Sequence, residues 1–413
     1  MSYDEWREML RGRDLPLAAI DLEAFDRNVA LVASHLGSNQ LRPATKSLRV
    51  PKLLTRIADR LGAKISGWML YSAREAELLA HHEDTAHLDD LLIAYPVATL
   101  ADAARLLRLA TSGQTIRAVV DSTDHLDLFR RAIDTSPGTS PPPTFSVIVD
   151  IDAAWRPLSW LMGHDNAPHM GVRRSPVRSP EDAVTLAEAA RTRDLRVSGI
   201  MAYEAQVAGI RDRNPGSRHL DPLRRLIRHA SAPDIAARRA AIVAALQRAG
   251  FELEVVNGGG SGSLLSTTRD PSITEVTAGS GFLGPHLFSG YRGLPFEAAA
   301  FFALPITRFP DADHITCSYG GFVASGAAGL DRAPIVHLPR GLAPLKAEGF
   351  GEVQTPLRRL DLCRRDLSLG DPIVCRHAKS GELFEHFNTV TCLSGDHEPE
   401  AWRTYRGLGL APS

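Results

Sequence analysis

From about residue 41 to residue 277 the chain alternates short apolar runs with segments of helical spacing. The runs cover residues 41–46, 65–71, 91–97, 116–121, 145–152, 197–203, 253–257 and 273–277. Between them, in stretches such as 52–61, 73–80, 182–193 and 235–249, apolar residues recur at three- and four-residue intervals. Apolar runs of this length alternating with helices predict parallel strands covered on their faces by helices. Eight such units predict an α/β fold of the (β/α)8 TIM-barrel kind. A doubly wound open sheet satisfies the same periodicity.

After Pro285 the helical period fades, and short β-like runs at 314–318, 335–338 and 371–375 are separated by Gly and Pro. This predicts a C-terminal β-rich domain over 290–413, behind a barrel over 21–289. Residues 1–20 form an N-terminal segment that could pack on the β-domain. The Pro-rich stretch 136–143 reads as a surface loop of the barrel. The Arg-, His- and Pro-rich connection 211–231 reads as a lid or a flexible insertion.

Bulk numbers narrow the function. With 413 residues, 44% hydrophobic, 23% charged and a formal net charge of −1, the chain has the balance of a soluble globular protein. No basic or acidic excess points to nucleic acid or a membrane surface. Residues 1–11 are charged and lack the apolar core of a signal peptide. No apolar run approaches the roughly 18 residues of a spanning helix. The four cysteines, Cys317, Cys363, Cys375 and Cys392, form no CxxC pair, so zinc is not signalled. The expectation is a cytoplasmic protein with reduced thiols.

In a parallel barrel, functional groups gather at the C-terminal ends of the strands. The first strand ends in Arg42-Pro43-Ala44-Thr45-Lys46. An inward lysine there would be desolvated, its pKa lowered, and its amine able to form a Schiff base; a snorkelling surface lysine is the plain alternative. The seventh strand runs into Asn257-Gly258-Gly259-Gly260-Ser261-Gly262-Ser263 and the eighth into Thr277-Ala278-Gly279-Ser280-Gly281. Two Gly/Ser loops on neighbouring strand ends present N–H groups and hydroxyls to one phosphate. Neither is a Walker loop, since no Lys follows the glycines, nor a dinucleotide fingerprint, whose third glycine is missing.

With these residues in place the chain resembles the alanine-racemase-like pyridoxal-phosphate enzymes of fold type III, in the D-threonine aldolase and D-serine dehydratase branch. The strings Arg42-Pro43-Ala44-Thr45-Lys46, Leu92-Ile93-Ala94-Tyr95-Pro96, Gly199-Ile200-Met201-Ala202-Tyr203, Gly258 to Ser263 and Thr274 to Ser280 carry the resemblance in order. Tyr203-Glu204-Ala205-Gln206, Gly351 to Leu357 and Arg376 to Glu382 further resemble bacterial amino acid deaminase/aldolase proteins. The match covers roughly residues 20 to 290 and extends more loosely beyond.

The resemblance implies that Lys46 holds pyridoxal phosphate as a Schiff base and moves the α-proton. Tyr203 would pack on the pyridine face, with Asn257 beside it. Gly259, Gly260, Ser261, Gly279 and Ser280 would hold the phosphate. Thr277 would face the pyridine nitrogen, where a neutral side chain suits lyase chemistry at least as well as racemisation. It also implies a homodimer with shared active sites.

The chain departs from the family pattern twice. In Pro168-His169-Met170-Gly171-Val172-Arg173, His169 stands where relatives carry a cofactor-binding arginine, for which Arg173 or Arg156 could substitute. In the second domain, His377-Ala378-Lys379 replaces the His-x-Cys or His-x-Asp pair of metal-dependent relatives. Lysine is a poor metal ligand. Either the metal is absent, the favoured reading, or His377 binds it with help from Glu382, Glu385 or His386. Without metal, His377 remains a proton acceptor for the substrate hydroxyl. The cluster His81-His82-Glu83-Asp84 reads as a solvated helix end, and His314, His337 and His397 as isolated side chains.

The function expected is a pyridoxal-phosphate lyase, an aldolase or deaminase, for a D-configured or β-hydroxy amino acid. A racemase on the same scaffold and a non-catalytic cofactor-binding protein are the alternatives.

Overall fold

The structure is a computed structural model; it describes all residues except 136–140, 143, 164–165, 328, 362, 364, 396 and 411–413. The loop expected at 136–143 therefore lies largely outside the described residues.

A first strand, β1 (Leu17–Asp21), precedes the barrel. The barrel strands follow as β2 (Gln40–Pro43), β3 (Trp68–Leu70), β4 (Leu91–Ile93), β5 (Ile116–Val120), β6 (Phe145–Asp150), β7 (Val197–Ala202), β8 (Val255–Gly258) and β9 (Glu275–Ala278). All pair in parallel in the order β2-β9-β8-β7-β6-β5-β4-β3. The parallel bridges Leu41↔Ile65 and Ala44↔Met69 bring the β2 and β3 ends together, so the sheet is a nearly closed barrel and not an open, doubly wound one.

Inside, Leu92, Val119, Ile148, Met201 and Val255 form one apolar cluster. Beside it runs a largely buried polar chain, with Arg42 and Glu275 enclosed and Asp90 partly exposed. Arg42 pairs with Glu275 at 2.6 Å and Asp90 at 2.9 Å, and Arg117 pairs with Asp90 at 2.8 Å. A buried guanidinium persists only with such partners.

Each expected strand overlaps an observed one, but several stop short at the C-terminal end. The first ends at Pro43, and Lys46 lies in the 3-10 turn Thr45–Ser47. Apolar and small residues continue past the strands because they line a cleft there, which periodicity does not distinguish from a strand.

The connection at 211–231 is not a lid or a flexible insertion. Its latter half belongs to a 28-residue helix, Asp221–Arg248, which crosses Pro233, and Pro215–Leu220 forms a 3-10 turn. It is an ordered element.

The remaining strands are β10 (Ala300–Asp311), β11 (His314–Ser318), β12 (Ile335–Leu338), β13 (Leu342–Pro344), β14 (Gln354–Arg359), β15 (Pro372–Arg376), β16 (Thr389–Leu393) and β17 (Glu400–Arg403). They form the β-rich second domain. β1 joins that sheet, antiparallel to β10 and parallel to β16. The helix Tyr3–Met9 packs there through Trp6, whose ring lies 5.1 Å from that of Phe301. The four cysteines are buried and unpaired. Among the described residues no helix is long and apolar enough to cross a membrane.

Candidate active site at the barrel mouth

Loops after the barrel strands build one cleft. Among its lining residues are Lys46, Tyr203, Asn257, Gly259, Gly260, Ser261, Thr277, Gly279 and Ser280, every one a residue singled out in the sequence. His169, Arg173 and His377 do not line it, but Tyr95, Arg174 and Ser47 do.

Lys46 donates from Nζ to Tyr95 Oη at 2.7 Å. It stays solvent-exposed, not desolvated as a strand-end position would have it, because the strand ends at Pro43 and the following turn carries it onto the rim. The Arg174 guanidinium lies 5.7 Å from the Tyr95 ring centre and 5.5 Å from that of Tyr203, within cation–π range. Burial raises the Tyr203 phenol above its ordinary value, and Arg174 opposes the rise.

Arg174 thus sits where Arg173 was expected. The neighbours share a loop without periodicity, and only the fold decides which points inward. Arg156, the other candidate, pairs with Asp152 at 2.9 Å. His169 Nε2 lies 3.3 Å from Val172 O, within its own loop.

The Gly/Ser loops are closed by short contacts. Ser261 Oγ accepts the N–H groups of Gly279 and Gly281 at 3.0 and 2.9 Å. Ser47 and Ser280 hydroxyls lie 3.2 Å apart. A Cβ on Gly279 would come within 2.9 Å of both Ala44 O and Ser47 Oγ, so glycine lets this loop close on the Lys46 turn.

The other loop is anchored from below. Glu204, buried next to Tyr203, accepts the Gly259 N–H at 3.0 Å and pairs with Arg239 at 3.2 Å. It also accepts the Thr267 hydroxyl. Sequence reading saw Glu204 only as part of a string, since its role depends on contacts 55 residues away.

Thr277 and Asn257 are linked to the buried polar chain. Asn257 Nδ2 donates to Glu275 at 2.8 Å and to Thr277 Oγ1 at 3.0 Å. Asp150, at the end of β6, is 6% exposed. Burial, and next the Asp121 carboxylate, push it up to about 7, with Arg174 opposing.

His377 is 2% exposed, and among the described residues neither ring nitrogen has a well-aligned hydrogen-bond partner. Burial and Arg376 hold its imidazole down at about 3. Lys379 instead lines the outer entrance, donating to Ser325 O at 2.7 Å and lying 3.6 Å from Glu382. Among the described residues, no group of three or more His, Cys, Asp or Glu is placed to hold a metal ion.

Comparison with known proteins now decides the family. The alanine racemase N-terminal domain pattern matches residues 20–286. The chain belongs to the alanine racemase N-terminal domain family. Among curated relatives, it is similar to 3-hydroxy-D-aspartate aldolase of Paracoccus denitrificans (strain Pd 1222), at 26% identity over 271 residues; these span 64% of this chain and 59% of the relative. Among solved structures, D-threonine aldolase from Filomicrobium marinum superposes with TM-score 0.75 at 22% identity, covering 96% of this chain and 97% of that one. D-threo-3-hydroxyaspartate dehydratase from Delftia sp. HT23 gives TM-score 0.74 at 19% identity, covering 98% and 99%. The fold of these two structures, barrel and second domain together, therefore extends over nearly all of this chain.

Proposed function

We propose that the protein is a pyridoxal-phosphate-dependent lyase, an aldolase or dehydratase, acting on a D-configured or β-hydroxy amino acid. The observation that carries this is the convergence of a free lysine amine, a tyrosine hydroxyl and a Gly/Ser cradle in one cleft. Three relatives whose names specify D-configured amino acids favour the substrate class.

The cleft residues fit the cofactor. The donors around Ser261 are hydroxyls and backbone N–H groups, and among the described residues no carboxylate lines the cleft, which suits a dianionic phosphate. Lys46 would hold the cofactor covalently, with Ser47, Ser261, Gly279 and Ser280 at its phosphate, Tyr203 against its ring and Thr277 toward its ring nitrogen. When bound, the group supplies an electron sink at the substrate α-carbon.

The protein's own share follows from the geometry. Lys46 Nζ would take and return a proton, with its hydrogen bond to Tyr95 Oη holding it in position. Arg174 offers a fixed positive charge over both tyrosines. A hydroxyl at Thr277 cannot hold a proton on a facing nitrogen as an acid would, which moderates the electron sink. The same reading includes a homodimer. Trp160 and Leu161, 82% and 67% exposed, support it, and an active monomer in sedimentation at micromolar concentration would exclude it.

The experiment is a screen of the cofactor-loaded protein with D- and L-threonine and both enantiomers of 3-hydroxyaspartate, detecting aldehyde, glycine and ammonia. Aldehyde with glycine, or ammonia with a keto acid, from D-substrates supports the reading. Interconversion of enantiomers with neither product overturns it in favour of a racemase.

A further inference from the structure

Many arginines of this chain pair with a carboxylate, but in one cleft several arginines without such a partner stand together. Between the start of the helix Asp221–Arg248 and the entrance to the second domain, it is lined by Arg211, Arg213, Arg218, Arg225, Arg292 and Arg376. Its one carboxylate, Asp221, is taken up by Arg224 at 2.7 Å and by the Asn214 N–H at 3.0 Å. Among the described residues, Arg213, Arg218, Arg225, Arg292 and Arg376 have no carboxylate oxygen within 4 Å. Arg211 has only Asp331, at 3.6 Å. The formal net charge of the whole chain is −1, so general basicity does not account for the cluster.

Arg376 is the most telling member. It is half-buried at the end of β15, and its guanidinium is held by Gly284 O at 2.9 Å and Ser289 Oγ at 3.1 Å. Among the described residues its Nε has no partner. Burial pushes its pKa down to about 10, and burial likewise lowers that of Arg211. A cation removed from water and given only neutral acceptors is an uncompensated cost that an anion would relieve. The long helix and its preceding 3-10 turn, which hold Arg218 and Arg225, make the cleft an ordered feature.

We infer that this cleft binds a multiply charged oxyanion, of the phosphate or polycarboxylate class, at a second site distinct from the Gly/Ser cradle beside Lys46. Five guanidinium groups without counter-ions call for more than one negative charge, and their planar forks match phosphate and carboxylate oxygens. The two clefts share no lining residue. Arg211 lines both the basic cleft and the outer entrance, where Lys46 and Lys379 also stand. An anion in the cleft would thus reduce the positive field at the entrance.

The test is calorimetric titration of the protein, with its cradle saturated by pyridoxal phosphate, using pyrophosphate in one arm and tricarballylate in the other. Sodium chloride at matched ionic strength is the control. The expected result is saturable binding of at least one probe at one site per chain, and which arm responds assigns phosphate or carboxylate. Arg213 and Arg218 are exposed, so R213Q/R218Q should fold normally by circular dichroism and bind at least tenfold more weakly. Arg376→Met should weaken binding further. Heats no larger than the chloride control, or equal binding by R213Q/R218Q, would overturn the inference. So would wild-type protein that binds neither probe but dissociates into monomers when these arginines are replaced, since that assigns the cleft to a second copy of the chain. The readout needs no turnover, so failure here leaves the lyase reading untouched, and failure of the lyase reading leaves this one standing.

Discussion

Lys46 Nζ and Tyr95 Oη lie 2.7 Å apart, although 49 residues separate them in the chain. One is carried by the turn after β2, the other by the loop after β4, and the barrel brings them together. Tyr95→Phe keeps the ring under Arg174 and removes only the hydroxyl. A hydrogen bond to a charged group contributes about 1.5–3 kcal/mol, so turnover should fall about 10- to 100-fold while cofactor binding changes little. Steady-state kinetics beside a cofactor titration checks this. Unchanged turnover would remove Tyr95 from the account.

Glu204 ties the Tyr203 strand end to the glycine loop. Removing it leaves the Gly259 N–H without its acceptor and Arg239 with Asp270 as its one remaining carboxylate among the described residues, beside the Ala202 carbonyl. Glu204→Ala should cost about 3 kcal/mol or more of stability, as expected for breaking a buried pair. Glu204→Gln, which still accepts the N–H, should keep most of the cofactor affinity that Glu204→Ala loses. Equal affinities in both variants would mean that the loop holds its shape without this contact.

The eight strands of the barrel, and the cleft members carried by strand-end strings, were legible because both lie in local sequence: period, length and Gly/Ser punctuation. What was not legible depends on the fold. The sequence suggested that residues 1–20 pack on the β-domain, but β1 pairs with strands β10 and β16 far along the chain, and no local pattern marks it as a strand of that sheet. Arg174 and Arg173 differ only in which way a loop turns. His377 looked like a ligand because of its neighbours in sequence, while the packing around β15 encloses it. The basic connection at 211–231 looked like a loop because its charges mask the start of a long helix.

Asp150 sets a pH dependence of stability. Its folded value, about 7, lies above the ordinary carboxylate value, so folding favours the neutral form. That contribution is fully present below about pH 4 and is lost as pH rises through 7. Asp150→Asn should therefore melt higher than the parent at pH 8, by an amount worth up to about 4 kcal/mol, and the gap should close near pH 4. Thermal melts across this range decide it. A gap that is absent, or that opens toward acid, contradicts the assignment.

His377 and Lys379 bear on metal use. The imidazole is enclosed beside Arg376, and Lys379 brings a second cation to the entrance. Two cations near one candidate ligand disfavour a divalent ion. Activity is expected to survive exhaustive chelation, with metal content measured in parallel. Complete loss, restored by near-stoichiometric manganese or zinc, would return His377 to the role of metal ligand.

The central claim is that Lys46 carries the cofactor. Borohydride reduction of protein incubated with pyridoxal phosphate, followed by peptide mass spectrometry, tests it without any substrate. The account expects the phosphopyridoxyl group on the peptide containing Lys46, and no label in Lys46→Ala at equal folding. Label on Lys379 or another lysine, or the same label retained in Lys46→Ala, would contradict it.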